Sequence, residues 1–207
     1  MLRDRKVLLK VVLGALLVVL LAGCAGMPAF TPERAALQQV LGNSLTHDKI
    51  NPNTLAVLQT QNYQEYVMVL VAFQEMDRSG QLSDCLFMYE IRKMSLGWVP
   101  GSGGGSCGPA GEPSNGPDAP ISVAGGNASS TQGPSYTEVR GMVYHPEVTQ
   151  IEVTWEDGET QQVDVVNSSY LAIRDGSQHR DTMVKALNAS GEVLYTHERA
   201  EPAPGKQ

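Results

Sequence analysis

Basic residues, cysteines and catalytic motifs are all scarce in this chain, and each scarcity removes a class of function. Lysine and arginine together number 15 against 22 acidic residues, for a formal net charge of −7. Nucleic-acid phosphates are bound mainly by Lys and Arg, so the balance argues against a nucleic-acid partner and against peripheral binding to anionic lipid. The only histidines are His47, His145, His179 and His197, and none lies in a G-x-S-x-G, H-E-x-x-H or S-x-x-K pattern. A hydrolase needs a nucleophile and a base brought together, so no enzymatic activity and no cofactor are expected. The cysteines are three: Cys24, Cys85 and Cys107.

The amino-terminal segment sets the compartment. Residues 1–6 are basic on balance, residues 11–21 form an apolar run, and Ala22-Gly23-Cys24 follows. That is the three-part layout of a secretory signal peptide. A membrane-crossing helix needs about 20 apolar residues, and Lys10 cuts this run short of that. An uncleaved anchor would also leave the small residues and the cysteine unexplained. Leu21-Ala22-Gly23-Cys24 resembles the lipobox of bacterial lipoproteins. The resemblance implies removal of residues 1–23, a diacylglycerol on the Cys24 thiol and further acylation of the new amino terminus. Two or three acyl chains hold a protein firmly on a bilayer where one does not. In diderm bacteria of this class, Ala25 after the cysteine implies transfer to the outer membrane; with a single membrane, the anchor would sit on its outer face.

Cleavage would remove four basic residues and one acid, so the mature chain carries a net charge of about −10 by simple counting. With Cys24 committed to lipid, Cys85 and Cys107 remain as an even pair. An unpaired thiol is a liability in an oxidising compartment, so a disulfide between them is expected. The rival reading, a reactive thiol or metal ligand, lacks a nearby His or second Cys at ligand spacing.

Past a lipidated tether at residues 24–30, Thr31-Pro32-Glu33 offers a cap, a proline suited to the first helical position and an early acid. Ala36, Leu37, Val40 and Leu41 continue at helical spacing, and Asn51-Pro52 opens a second helical candidate with Leu55, Val57 and Leu58. Residues 66–73 read as a mostly buried strand. In residues 82–94 Cys85, Phe87, Tyr89 and Ile91 alternate with Glu90 and Arg92, which is strand periodicity, and residues 97–100 read as a short third strand. Residues 31–100 are therefore expected to form a small α+β domain.

In residues 101–134, 21 of 34 are Gly, Pro or Ser, a composition that predicts a flexible linker. Gly103 to Gly108 formally match G-x-G-x-x-G, but Pro109, Gly111 and Pro113 prevent the helix that a phosphate loop must open. Residues 121–124 read as an edge strand. Over residues 135–198, five to seven short strands separated by turns such as those at Asp157-Gly158 and Asp175-Gly176 predict an antiparallel β-sandwich or barrel, followed by a disordered tail at 199–207.

Other features favour plain structural roles. His145 with Glu147, His179 with Asp181 and His197 with Glu198 could meet around a metal only if three loop ends converged, so no metal site is expected. Asp157 and Asp175 suit hairpin turns without calcium. Tyr136, Tyr144, Trp155, Tyr170 and Tyr195 are expected in the core or on sheet faces rather than as a sugar platform. Asn127, Asn167 and Asn188 begin Asn-x-Ser triplets, which carry no glycan behind a bacterial lipobox. The expected protein is a lipid-anchored envelope lipoprotein serving as a non-enzymatic interaction or structural module, with an unidentified envelope protein as partner. The alternative is an envelope protein that binds a small ligand, or acts as an enzyme, between its first helix and the sheet bearing Phe73, Phe87 and Trp98.

Overall fold

The run from Tyr66 to Phe73 has no polar residue on either side of a strand, so it must be covered on both faces. The computed structural model, which describes residues 29–42, 50–76, 80–113, 116, 118–128 and 133–199, covers it in that way. Strands β1 (Ile50–Tyr63), β2 (Tyr66–Met76), β3 (Leu82–Met94) and β4 (Gly97–Pro109) form an antiparallel meander in sequence order. On one face, Val67, Val69, Val71 and Phe73 of β2 pack with Cys85, Tyr89 and Ile91 of β3 beneath helix α1 (Pro32–Gly42). Ala35, Ala36 and Val40 are the helix's buried side chains, and two of the three are alanines, which let the helix lie close to the sheet.

The opposite face carries Tyr66, Met68, Leu70, Leu86 and Met88, which meet Tyr136, Leu171 and Ile173. Those three belong to a second sheet, β5 (Ala124–Ala128), β6 (Tyr136–Met142) and β9 (Ser169–Asp175), in the order β5-β6-β9. A third sheet, ordered β11-β10-β7-β8, is built from β7 (Gln150–Trp155), β8 (Thr160–Asp164), β10 (Asp181–Leu187) and β11 (Val193–Glu198). Val139, Tyr170 and Ala172 from the second sheet interdigitate with Ile151, Val153, Trp155, Val184 and Ala186 from the third. The chain is thus mostly antiparallel sheet with one short helix, stacked as helix, sheet, sheet, sheet. The last two layers are the sandwich expected for residues 135–198, and β5 together with the Ile121–Val143 bridge extends it. The turn glycines Gly158, Gly176 and Gly191 have positive φ, where a side chain would be strained.

Two expectations are corrected. The second helix is strand β1. Pro52 lacks an N–H, but at the start of an edge strand that donor is not needed. The ladder between β1 and β2 is irregular from Asn51 to Ala56, and local side chains replace its bonds. Asn53 N donates to Asn51 Oδ1 at 3.1 Å, Thr54 Oγ1 to the Asn51 carbonyl at 2.8 Å, and Gln74 N to Thr54 Oγ1 at 2.9 Å.

The expected linker is strand over much of its described length: β4 runs through Pro109 and β5 covers residues 124–128. The glycines of β4 make room for rings. A Cβ on Gly103 would lie 2.4 Å from Tyr89 Cδ1, and one on Gly105 would lie 2.3 Å from Phe87 Cγ, so both rings rest on bare backbone. The G-x-G-x-x-G match lies wholly within this strand. Ahead of α1, Ala29 N donates to the Trp98 carbonyl at 3.1 Å and Trp98 N to the Ala29 carbonyl at 2.8 Å. Cys24 and the segment before it, the start of the expected turn at 77–79, His47 and tail residues 200–207 lie outside the described residues.

Ring accommodation and linker flexibility predict different glycine substitutions. Gly105→Val should destabilise the protein by about 1–3 kcal/mol through overpacking against Phe87. Gly104→Ala, whose Cβ meets nothing within 4 Å, should be neutral within about 0.5 kcal/mol, with urea denaturation as the measurement. Equal and negligible effects at both would mean β4 is not held against β3.

Candidate functional site

Polar groups concentrate where the second sheet faces its neighbours, and one cleft opens at an end of the sandwich. It has a volume of about 480 Å³ and is lined by Gly125, Gly126, Glu138, His179, Asp181 and Arg199, among others. The floor is set by strand pairing: β5 lies on β6 with Gly126 opposite Glu138. The loop at 176–180 is tied down from three sides. Thr137 Oγ1 is 2.9 Å from the Gly176 carbonyl and 3.1 Å from that of His179, Asn127 Nδ2 donates to the Ser177 carbonyl at 3.1 Å, and Glu156 N donates to the Arg180 carbonyl at 2.9 Å. Asp181 is buried at the start of β10 and paired with Arg199. The cleft therefore offers charge and hydrogen bonds to a ligand.

Behind it, between the first and second sheets, lies a buried polar layer. The Tyr136 hydroxyl donates to Glu90 Oε1 at 2.7 Å, and burial, then this bond, pushes the phenol well above its usual range. Arg140 and Glu138 pair with each other with both side chains 5% exposed. Burial lowers the Arg140 guanidinium to about 10, which leaves it charged at neutral pH. At one end of the layer, the Tyr63 hydroxyl donates to Asp175, and at the other Asn167 Nδ2 donates to the Leu58 carbonyl at 2.6 Å.

The residues singled out in the sequence separate into those the fold joins and those it scatters. Cys85 and Cys107 face each other across β3 and β4 and form a disulfide. Glu75 is close to both sulfurs, and these three are the only His, Cys, Asp or Glu group of metal-binding geometry among the described residues; the disulfide occupies its two sulfurs. The three histidine–acid pairs do not converge: His145 lines a separate cleft with Tyr144 and Val148, His179 lies on the loop before β10, and His197 pairs with Val184 within the third sheet. Asp157 and Asp175 are engaged by side chains. Arg174 donates to both Asp157 oxygens at 2.8 and 2.5 Å while lying over the Trp155 ring, and Asp175 accepts from Tyr63. Tyr136, Trp155 and Tyr170 are core residues, whereas Tyr144 is exposed. The Asn-x-Ser asparagines have structural partners, Asn188 most fully: its Oδ1 accepts from Ser190 N and Glu192 N at 3.0 and 2.9 Å and closes the β10–β11 turn.

The Arg140–Glu138 pair and the Tyr136–Glu90 bond had no signal in the sequence beyond polar residues at strand positions. Alternation places Glu138 and Arg140 on one face, but only the stacked first sheet makes that face interior. Phe73 and Phe87, expected to line a ligand cavity, instead pack on each other with centroids 5.4 Å apart, in the cluster that includes the helix alanines. Among the described residues no helix is long and apolar enough to cross a membrane.

Two measurements check these assignments. The disulfide closes a loop of 22 residues' separation, so the Cys85→Ser/Cys107→Ser protein should lose about 3 kcal/mol in urea denaturation on the chain-entropy model. The hydrogen bond from Arg174 holds the Asp157 carboxyl down at about 2. A depressed folded-state value contributes stability above the usual carboxylate range and loses it as pH falls through that value. The Tm of the wild type should therefore exceed that of Asp157→Asn at neutral pH, and the gap should close between pH about 4 and about 2. No family model, no curated protein and no solved structure matches the chain.

Proposed function

We propose that the protein is a bacterial envelope lipoprotein, anchored through acyl chains on Cys24 and acting as a non-enzymatic interaction or structural module. The observation that carries the reading is the Leu21-Ala22-Gly23-Cys24 motif behind a basic and then apolar leader. The cysteine pairing supports it, because Cys85 and Cys107 bond to each other and leave Cys24 as the one remaining thiol. Disulfides persist in exported compartments, which agrees with a signal peptide.

The role is positional. The sheets bury their hydrophobic faces against one another, so the sandwich is carried on the first sheet instead of swinging on a connector. A partner would meet loop tips, sheet edges and the cleft beside Asp181 at a set distance from the bilayer. A small-ligand reading is supported by that cleft at the sandwich mouth.

Metabolic labelling with an alkyne-bearing palmitate tests the anchor. The wild type should incorporate label and fractionate with membranes, whereas Cys24→Ala should incorporate none and be released. Equal membrane retention of the Cys24→Ala protein would replace the lipid by an uncleaved signal anchor.

A further inference from the structure

The end of the first sheet at which the chain enters carries an unusual surface. The hydrogen bonds between Ala29 and Trp98 pin the incoming chain beside the first residues of β4. Antiparallel pairing then sets Phe30 next to Gly97, which itself pairs with Met94 across the β3–β4 turn. Phe30 is 82% exposed, Leu96 in that turn is 80% exposed, and Met94 is 45% exposed. Three apolar side chains are thus brought within one or two register positions of each other and left facing outward. Arg92 and Lys93 are exposed at the end of the same strand, with the Lys93 ammonium 5.7 Å from the Trp98 ring centroid. Glu65 stands at the same end on the β1–β2 turn, next to Tyr66, whose register partner is Arg92, so a single acid flanks the two bases one strand away.

We infer that this tip, formed by Phe30, Met94 and Leu96 and rimmed by Arg92 and Lys93, is a bilayer-docking surface that orients the protein on its membrane. The inference rests on the proposed anchor at Cys24. Five residue steps separate Cys24 from Ala29, and a fully extended chain covers at most about 18 Å over them. The tip is therefore within reach of the lipid surface at every moment. Apolar side chains backed by Lys and Arg match the boundary between headgroups and acyl chains, where such groups settle roughly 5–10 Å deep. The basic rim is locally opposite in sign to a mature chain of net charge about −10 by counting, so it favours this end over the acidic remainder at a bilayer surface. Docking here would stand the first sheet on its β3–β4 end and present the β10–β11 turn, on the outermost sheet, away from the membrane.

The test uses the lipidated mature protein in vesicles of phosphatidylethanolamine and phosphatidylglycerol doped with a spin-labelled phosphatidylcholine, which quenches tryptophan emission at contact. Leu96→Trp, in an exposed turn, should add emission that the spin label removes almost entirely. Ala189→Trp, in the exposed β10–β11 turn, should add emission that the label leaves intact. Equal quenching at both positions, or none at Leu96→Trp while acyl chains remain on Cys24 by mass spectrometry, overturns the tip and leaves the anchor standing. Selective quenching at Leu96→Trp that persists in a Cys24→Ala protein retained on vesicles supports the tip and shows that it docks without the acyl chains. A detergent-free dimer that dissociates on Phe30→Ser/Leu96→Ser substitution would assign the surface to a second copy of the chain and overturn the inference.

Discussion

Burial of β2 on both faces is the constraint on which the remaining layers depend. Met68, Val69, Leu70 and Val71 are each fully buried, and side chains alternate across a strand, so neither face of the first sheet can be left in water. One face is closed by a short helix rich in alanine. The other is closed by the second sheet, whose own far face is then apolar and needs the third. Each layer thus exists because its neighbour has a second side to cover. A helix, a sheet and a sandwich that look like separate units along the chain become one stack.

Between those apolar faces, a few polar groups define how the sheets sit. Glu90 accepts from Tyr136, Asp175 accepts from Tyr63, and the Leu58 carbonyl accepts from Asn167. Hydrophobic contact alone tolerates sliding, whereas buried charges and hydroxyls lose their partners if the sheets shift by one residue. The polar layer therefore specifies register more than it adds stability, since desolvating such pairs offsets much of their attraction. The Cys85–Cys107 bond acts in the same sense on β4, an edge strand whose glycines supply little packing of their own.

Under the proposed acyl anchor at Cys24, a stack of this kind would convert a point of attachment into an orientation. The chain enters at the β3–β4 end beside Trp98, and the layers extend from there. On that proposal, what the outer sheet meets would be governed by distance from the bilayer as much as by side-chain chemistry. The cleft beside Asp181 and the turns of the third sheet are the surfaces such an arrangement offers.

Much of the local structure was legible from residue order because it depends on local causes. The cap and proline at Thr31-Pro32 start a helix, the alternation through Cys85, Phe87, Tyr89 and Ile91 is a strand, and Asp157-Gly158 marks a hairpin turn, whereas Asp175-Gly176 turns the chain from one sheet to the next. The cysteine pair could be inferred by elimination, without knowing that β3 and β4 would set the two residues opposite each other. Three things could not be read. Asn51-Pro52 favours helix locally, but β2 offered β1 a ladder, and Thr54 repaired the gap that proline left. Glycine-rich β4 has the composition of a flexible connector, and only the rings of Tyr89 and Phe87, supplied by another strand, give Gly103 and Gly105 a reason to be small. Likewise Glu138 and Arg140 are ordinary polar strand residues until a second sheet covers them. Sequence by itself determined the segments whose conformation follows from neighbours in the chain. Tertiary structure decided those whose partners are distant, because burial and cross-strand contact outweigh propensities that differ by only about 1 kcal/mol per residue.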